Sequence, residues 1–231
     1  MGIMRVISPR VLVLVVLIVL LSGCAGSAVP EENHVESPWP YYFYLPDGYT
    51  VEKTWPLFIA VHGSATDGSG CWETWQPFAD DYGFVLLCPE LADPDGRLHQ
   101  LRANERLLAI LSQVYEEHSL RPSIFLMGFS AGGQFVHGYA FMHPNYVKGV
   151  AVIAPGNAYP PPPDARHIPF LVMIGERDQA GNLDVARQLA AMLENSGYAV
   201  ELQILEGMGH TIGEVAIGET LALFEQTVPD E

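Results

Sequence analysis

The feature that most constrains this chain is the turn Gly128-Phe129-Ser130-Ala131-Gly132. An apolar segment, Ser123-Ile124-Phe125-Leu126-Met127, leads into it, and Gly133 to Met142 leads out of it and stops before Pro144. This pattern predicts a buried strand, a sharp turn and then a helix. A serine on so tight a turn sits in a strained backbone conformation. The residues two places to either side must be small, because strand and helix nearly touch there. Gly128 and Gly132 meet that demand, and Ala131 keeps the crest uncrowded. The hydroxyl then projects at the start of a helix, where N–H donors and the positive end of the dipole favour a developing negative charge. In a chain with 22 glycines the five-letter pattern alone says little; the flanking strand and helix make it specific.

The rest of the chain supplies a matching frame. Further strands are predicted at Tyr41–Leu45, Leu57–Val61, Phe84–Cys88, Val150–Ala154, Phe170–Ile174 and Val200–Leu205. Helices are predicted over Trp72–Tyr82, with Gly83 as its cap, and over Leu98–His118, with Leu101, Leu108, Leu111 and Tyr115 on its apolar face. Two more follow, Leu183–Ser196, with Ala186, Leu189, Ala190 and Leu193 inward, and Ile212–Val228. Strands alternate with helices, and the central strands are apolar on both faces. The fold class is therefore α/β, a three-layer α/β/α sandwich on a mostly parallel sheet.

The amino terminus reads differently. Arg5 and Arg10 precede the apolar run Val11 to Leu21, too short for a comfortable membrane span, and Leu21-Ser22-Gly23-Cys24 closes it. Those four residues resemble the lipobox of bacterial lipoproteins. The resemblance implies a signal peptide over residues 1–23, lipidation at Cys24, and an exported protein anchored to the cell envelope. The alternatives are an uncleaved anchor or an ordinary secreted protein. Residues 24–40 mix small, acidic and proline residues without apolar periodicity, which predicts a tether. Residues 41–231, roughly 190 of them, suffice for one domain and not two. The formal net charge of −16, with Lys53 and Lys148 the only lysines, excludes nucleic acid as a partner. Cys71 and Cys88 can form a disulfide in an exported protein or remain two buried thiols. No spacing suggests a zinc site.

A serine hydroxyl needs a base within hydrogen-bond reach, and the base needs an orienting acid. Among eight histidines, only His210 lies late in the chain and just past a strand's carboxyl end, in a glycine loop. Asp178 follows another strand in the same way, with Glu176 as the alternative acid. In a parallel sheet these strand ends share the edge that carries Ser130. The backbone amides of Ala131 and Ser64 are the expected oxyanion donors. His62 is read as a buried histidine that fixes its loop. Trp72, Asn157 and Tyr159 are expected, from loop position alone, to line the substrate site.

The stretches Leu45-Pro46-Asp47-Gly48-Tyr49, Val61-His62-Gly63, Gly128-Phe129-Ser130-Ala131-Gly132-Gly133, Gly175-Glu176-Arg177-Asp178 and Gly209-His210 carry a family resemblance. The chain resembles the α/β-hydrolase superfamily. Within it, it is similar to the small lidless esterases grouped with polyhydroxybutyrate depolymerase, feruloyl esterase and dienelactone hydrolase. The resemblance implies an eight-stranded or slightly smaller sheet and a Ser130-Asp178-His210 triad that cleaves carboxylic esters through an acyl-enzyme, with no metal or organic cofactor. Dienelactone hydrolases proper use a cysteine nucleophile, and here a serine stands in that place. Only the proline-rich loop from Gly156 to Ile168 occupies the place where many lipases insert a lid. The expected partner is a small-molecule ester. A serine peptidase or acyltransferase of the same fold, and a non-catalytic binding lipoprotein, are the competing readings.

Overall fold

The computed structural model describes residues 33–64 and 66–228. The expected signal peptide and Cys24 lie outside the described residues. The strands are β1 (His34–Val35), β2 (Tyr41–Tyr44), β3 (Trp55–Val61), β4 (Val85–Pro89), β5 (Leu120–Phe129), β6 (Val147–Ile153), β7 (Phe170–Gly175) and β8 (Val200–Leu205). The helices are α1 (Gly68–Tyr82), α2 (Gln100–Glu117), α3 (Ala131–Met142), α4 (Ala180–Asn195) and α5 (Glu214–Thr227). The strands form one sheet in the order β1-β2-β4-β3-β5-β6-β7-β8. From β4 to β8 every neighbouring pair is parallel, while β1 and β2 join antiparallel at one edge.

The central strands read as continuous apolar runs because both of their faces are covered. Every residue of β3, β4 and β7 is buried. On one face Phe58, Phe84 and Phe125 meet Phe224 of α5, and Phe58 also meets Trp75 of α1, with ring centroids 4.7–5.7 Å apart. Each such pair adds about 0.5–1.5 kcal/mol to the burial of the rings. On the other face α2 meets α3, where Gln100 Nε2 donates to the Phe135 carbonyl and lies over Gly138.

Four expectations need correction. First, β1 falls inside the segment read as tether: His34 and Val35 pair with Tyr42 and Tyr41, and the His34 ring stacks on Tyr42 at 4.5 Å. Second, α1 begins at Gly68 rather than Trp72, because the Asp67 carboxylate accepts from the Gly70 N–H and caps the helix. Third, the apolar face of α2 is Ala103, Leu107, Ile110, Leu111 and Val114. Leu101 and Leu108 are 70% and 39% exposed. Both sets keep the 3.6-residue period and share Leu111, but the buried face is turned from the expected one by about a quarter of a turn, close to one residue step. Fourth, Cys71 and Cys88 are both free, so the disulfide reading gives way to two buried thiols.

Order within the sheet fixes where a site can form. After β3 the chain moves to β4 on one side, then returns to place β5 on the other. The loops leaving β3 and β5 therefore diverge and open a crevice at their carboxyl ends. Val61, the last residue of β3, stands beside Gly128 of β5.

Candidate active site

Ser130 occupies the predicted crest. Its backbone has φ 55° and ψ −115°, a region that residues with a side chain rarely enter. The close approach that demands glycine is direct. A Cβ on Gly132 would lie 2.1 Å from the Val61 carbonyl oxygen, and one on Gly128 would lie 2.3 Å from that of Gly132. The turn is tied to the next strand by the Ser130 N–H, which donates to the Ile153 carbonyl at 2.8 Å.

His210 and Asp178 reach the same edge of the sheet. His210 Nε2 stands 3.1 Å from Ser130 Oγ, and His210 Nδ1 stands 2.8 Å from Asp178 Oδ2. Asp178 can only accept, so Nδ1 carries the proton and Nε2 is left free to receive one from the hydroxyl. The Asp178 side chain is fully buried, and its other oxygen accepts from the Gln179 N–H at 2.6 Å and from Asn182 Nδ2 at 3.0 Å. Glu176 turns elsewhere: its Oε2 accepts from the Gly207 N–H at 3.0 Å. The histidine loop is pressed against β7, since a Cβ on Gly175 would lie 2.3 Å from the Met208 carbonyl oxygen. Phe129 packs beside the imidazole, with ring centroids 4.8 Å apart.

Ala131 is the first residue of α3, so its N–H has no acceptor within the helix. Ser64 lies in the loop after β3 and lines the same cavity as Ser130. That cavity, about 440 Å³, is walled by the loop after β3, by Cys71 and Thr74 of α1, and by Phe129 and Ile212. Trp72, Asn157 and Tyr159 do not line it. Trp72 is buried against Tyr44, and the Asn157 side chain accepts from the Ala158 N–H. Tyr159 is held away by two bonds: its hydroxyl accepts from Gln134 Nε2, and its N–H donates to Nε2 of His137. His137 is buried and neutral, its pKa pushed down to about 4 by burial, with Nδ1 donating to the Gly133 carbonyl at 2.8 Å. A helix read from the sequence as beginning at Trp72 leaves Gly70 and Cys71 outside it, so the α1 wall of the cavity is not legible there. The signal available was Asp67, a capping residue just ahead of Gly68.

His62 is 3% exposed and its Nδ1 donates to the Gly63 carbonyl at 2.8 Å, as expected of a histidine that fixes its loop. A Cβ on Gly63 would lie 3.2 Å from Ser130 Cβ, so loop and crest are in contact.

Several solved structures share the fold. A thermostable esterase superposes with a TM-score of 0.64 at 20% identity, over 80% of this chain and 58% of its own. This chain thus spans just over half the length of that protein. Est1E from Butyrivibrio proteoclasticus gives 0.61 at 16% identity, over 81% of this chain and 92% of its own. A ferulic acid esterase from Anaeromyces mucronatus, solved with ferulic acid, gives 0.65 at 13% identity, over 84% and 94%. No curated protein matches the sequence. The dienelactone hydrolase family matches residues 78–214, a span that includes Ser130, Asp178 and His210. A lactone is a cyclic ester, and with that match over more than half its length the chain belongs to the dienelactone hydrolase family of carboxylic ester hydrolases.

Proposed function

We propose that the protein cleaves carboxylic esters through an acyl-enzyme formed on Ser130. The observation that carries this is the unbroken relay from Ser130 Oγ through His210 to Asp178, with contacts of 3.1 and 2.8 Å. His210 Nε2 takes the hydroxyl proton as Oγ attacks the carbonyl carbon. The carbonyl oxygen gains a full negative charge and is received by the amides of Ala131 and Ser64. As the C–O bond to the alcohol breaks, His210 returns the proton to the leaving oxygen. A water, deprotonated by the same imidazole, then attacks the acyl-enzyme and frees Ser130 and the acid. Asp178 keeps the imidazole in the working tautomer and stays ionised throughout. The cavity beside Ser130 suits a substrate of modest size.

The test is turnover of p-nitrophenyl acetate and butyrate. Ser130→Ala is expected to lower kcat by about 10⁴-fold or more, and a fluorophosphonate is expected to label the parent protein and not the variant. Full turnover by the variant overturns the reading. A matched ester and amide panel distinguishes esterase from peptidase, since the relay alone does not choose between them.

The anchoring expectation belongs to the same proposal. Lipidation of Cys24 would hold the enzyme at the cell envelope, several acyl chains giving a stable attachment where one would not. Metabolic labelling with palmitate checks it: label is expected on the full chain and lost in Cys24→Ala.

A further inference from the structure

His62 stands outside the relay, yet its surroundings admit only one protonation state without conflict. Nδ1 faces the Gly63 carbonyl at 2.8 Å, an atom that can only accept. Nε2 faces Glu90 Oε2 at 3.3 Å, a slanted ion-pair contact, and this buried nitrogen has no hydrogen-bond partner of its own. The imidazolium satisfies both sides. A neutral ring with its proton on Nδ1 turns a lone pair on the carboxylate. A neutral ring with its proton on Nε2 turns one on the Gly63 carbonyl. Glu90 is itself held, its Oε1 accepting from the Gly68 N–H at 2.6 Å, so the carboxylate clamps the start of α1 to the loop after β3.

The Gly63 carbonyl and the Ser64 N–H belong to one planar trans peptide and point in opposite directions. Whatever aims the carbonyl therefore aims the amide. Besides His62, the Gly63 oxygen receives only longer contacts among the described residues, from the Thr66 N–H at 3.3 Å and Thr66 Oγ1 at 3.5 Å.

We propose that charged His62, clamped by Glu90, is the positioning residue that turns the Ser64 N–H toward the oxyanion, and that loss of its proton releases that peptide. The proposal rests on the hydrolase reading above and deepens it. Burial disfavours the charged ring, but the close contact with the Glu90 carboxylate and the Gly63 carbonyl together raise its pKa above the usual histidine range, with Asp67 adding to the same side. Cys71 and His210 are the other titratable groups on the cavity wall. On deprotonation the carboxylate, the stronger acceptor, draws the remaining proton to Nε2, and Nδ1 then repels the Gly63 oxygen.

The experiment is the pH dependence of kcat and KM in wild type and Glu90→Gln. Wild-type kcat is expected to fall at alkaline pH by about 10²-fold, the usual worth of one oxyanion donor, with KM changing by less than about twofold. In Glu90→Gln the amide oxygen can still accept from Gly68 while its NH₂ donates to a bare Nε2, so neutral His62 keeps its Nδ1 proton on Gly63. The alkaline fall is therefore expected to disappear. A wild type without an alkaline fall, or a variant that keeps it at the same pH, overturns the proposal. A second measurement needs no variant: in histidine- and amide-labelled wild type, the Ser64 N–H resonance is expected to titrate with the His62 ring. An unmoved Ser64 resonance overturns the proposal. This readout is independent of turnover, so failure of the hydrolase reading shows instead in Ser130→Ala retaining its rate.

Discussion

A single methyl group at the crest tests how closely the site is built. A Cβ on Gly132 would enter the space of the Val61 and His62 carbonyl oxygens, at 2.1 and 2.6 Å, both of them backbone atoms that cannot swing aside. Gly132→Ala must push α3 away from β3, moving Ser130 relative to His210. A displacement near 1 Å costs about 10²-fold in rate, so kcat on p-nitrophenyl acetate is expected to fall by at least that factor. Overpacking should also destabilise the fold by about 1–3 kcal/mol, seen as a lower urea midpoint. Ser130 and His210 were legible because their signals are local: a small-residue turn, and a glycine loop past a strand end. Asp178 and Glu176 were separated only by the structure, since two carboxylates two residues apart give the same sequence signal. The partnership of His62 with Glu90 had no signal at all, because the two lie far apart in the chain and only the β3–β4 pairing brings them together.

Helix α2 shows what periodicity can and cannot fix at the scale of an element. Its existence and its length were legible; its buried face was not. Leu101 and Leu108 were expected inward and are exposed, Leu111 is buried as expected, and Ala103, too small to signal a core face, is fully buried. Leu107→Ala is expected to cost about 2–5 kcal/mol, since that side chain is fully buried. Leu101→Lys, at a position 70% exposed, should change stability by less than about 0.5 kcal/mol. Chemical denaturation of the two variants distinguishes the observed face from the expected one. Helix α4 gave the opposite outcome, with Ala186, Leu189, Ala190 and Leu193 buried as read, because no stray leucine competes with the pattern. The strand β1 was missed because two residues cannot show an alternation, and only the neighbour Tyr41–Tyr44 defines it.

For the whole molecule, two buried histidines act on stability with opposite signs. His137 has its pKa depressed to about 4 by burial, so the unfolded chain binds the extra proton more readily than the fold does. Stability is expected to decline as pH falls from about 6.5 toward 4, by an amount on the order of 3 kcal/mol. His62 has a raised pKa, so its contribution is complete below about 6.5 and is lost as pH climbs through the folded value. Urea midpoints measured across the pH range should therefore peak between these limits. The mostly parallel sheet covered on both faces followed from alternating strands and helices, but the strand order, and with it the crevice between β3 and β5, depends on where the chain reverses, which no local pattern records. The backbone at Ser130, held at φ 55°, carries one more implication. A glycine there would relax a conformation that costs about 1–3 kcal/mol and repay part of the gain in chain freedom. Ser130→Gly should thus be inert yet melt about 2–4 °C higher than its parent, making the dead protein the sturdier one.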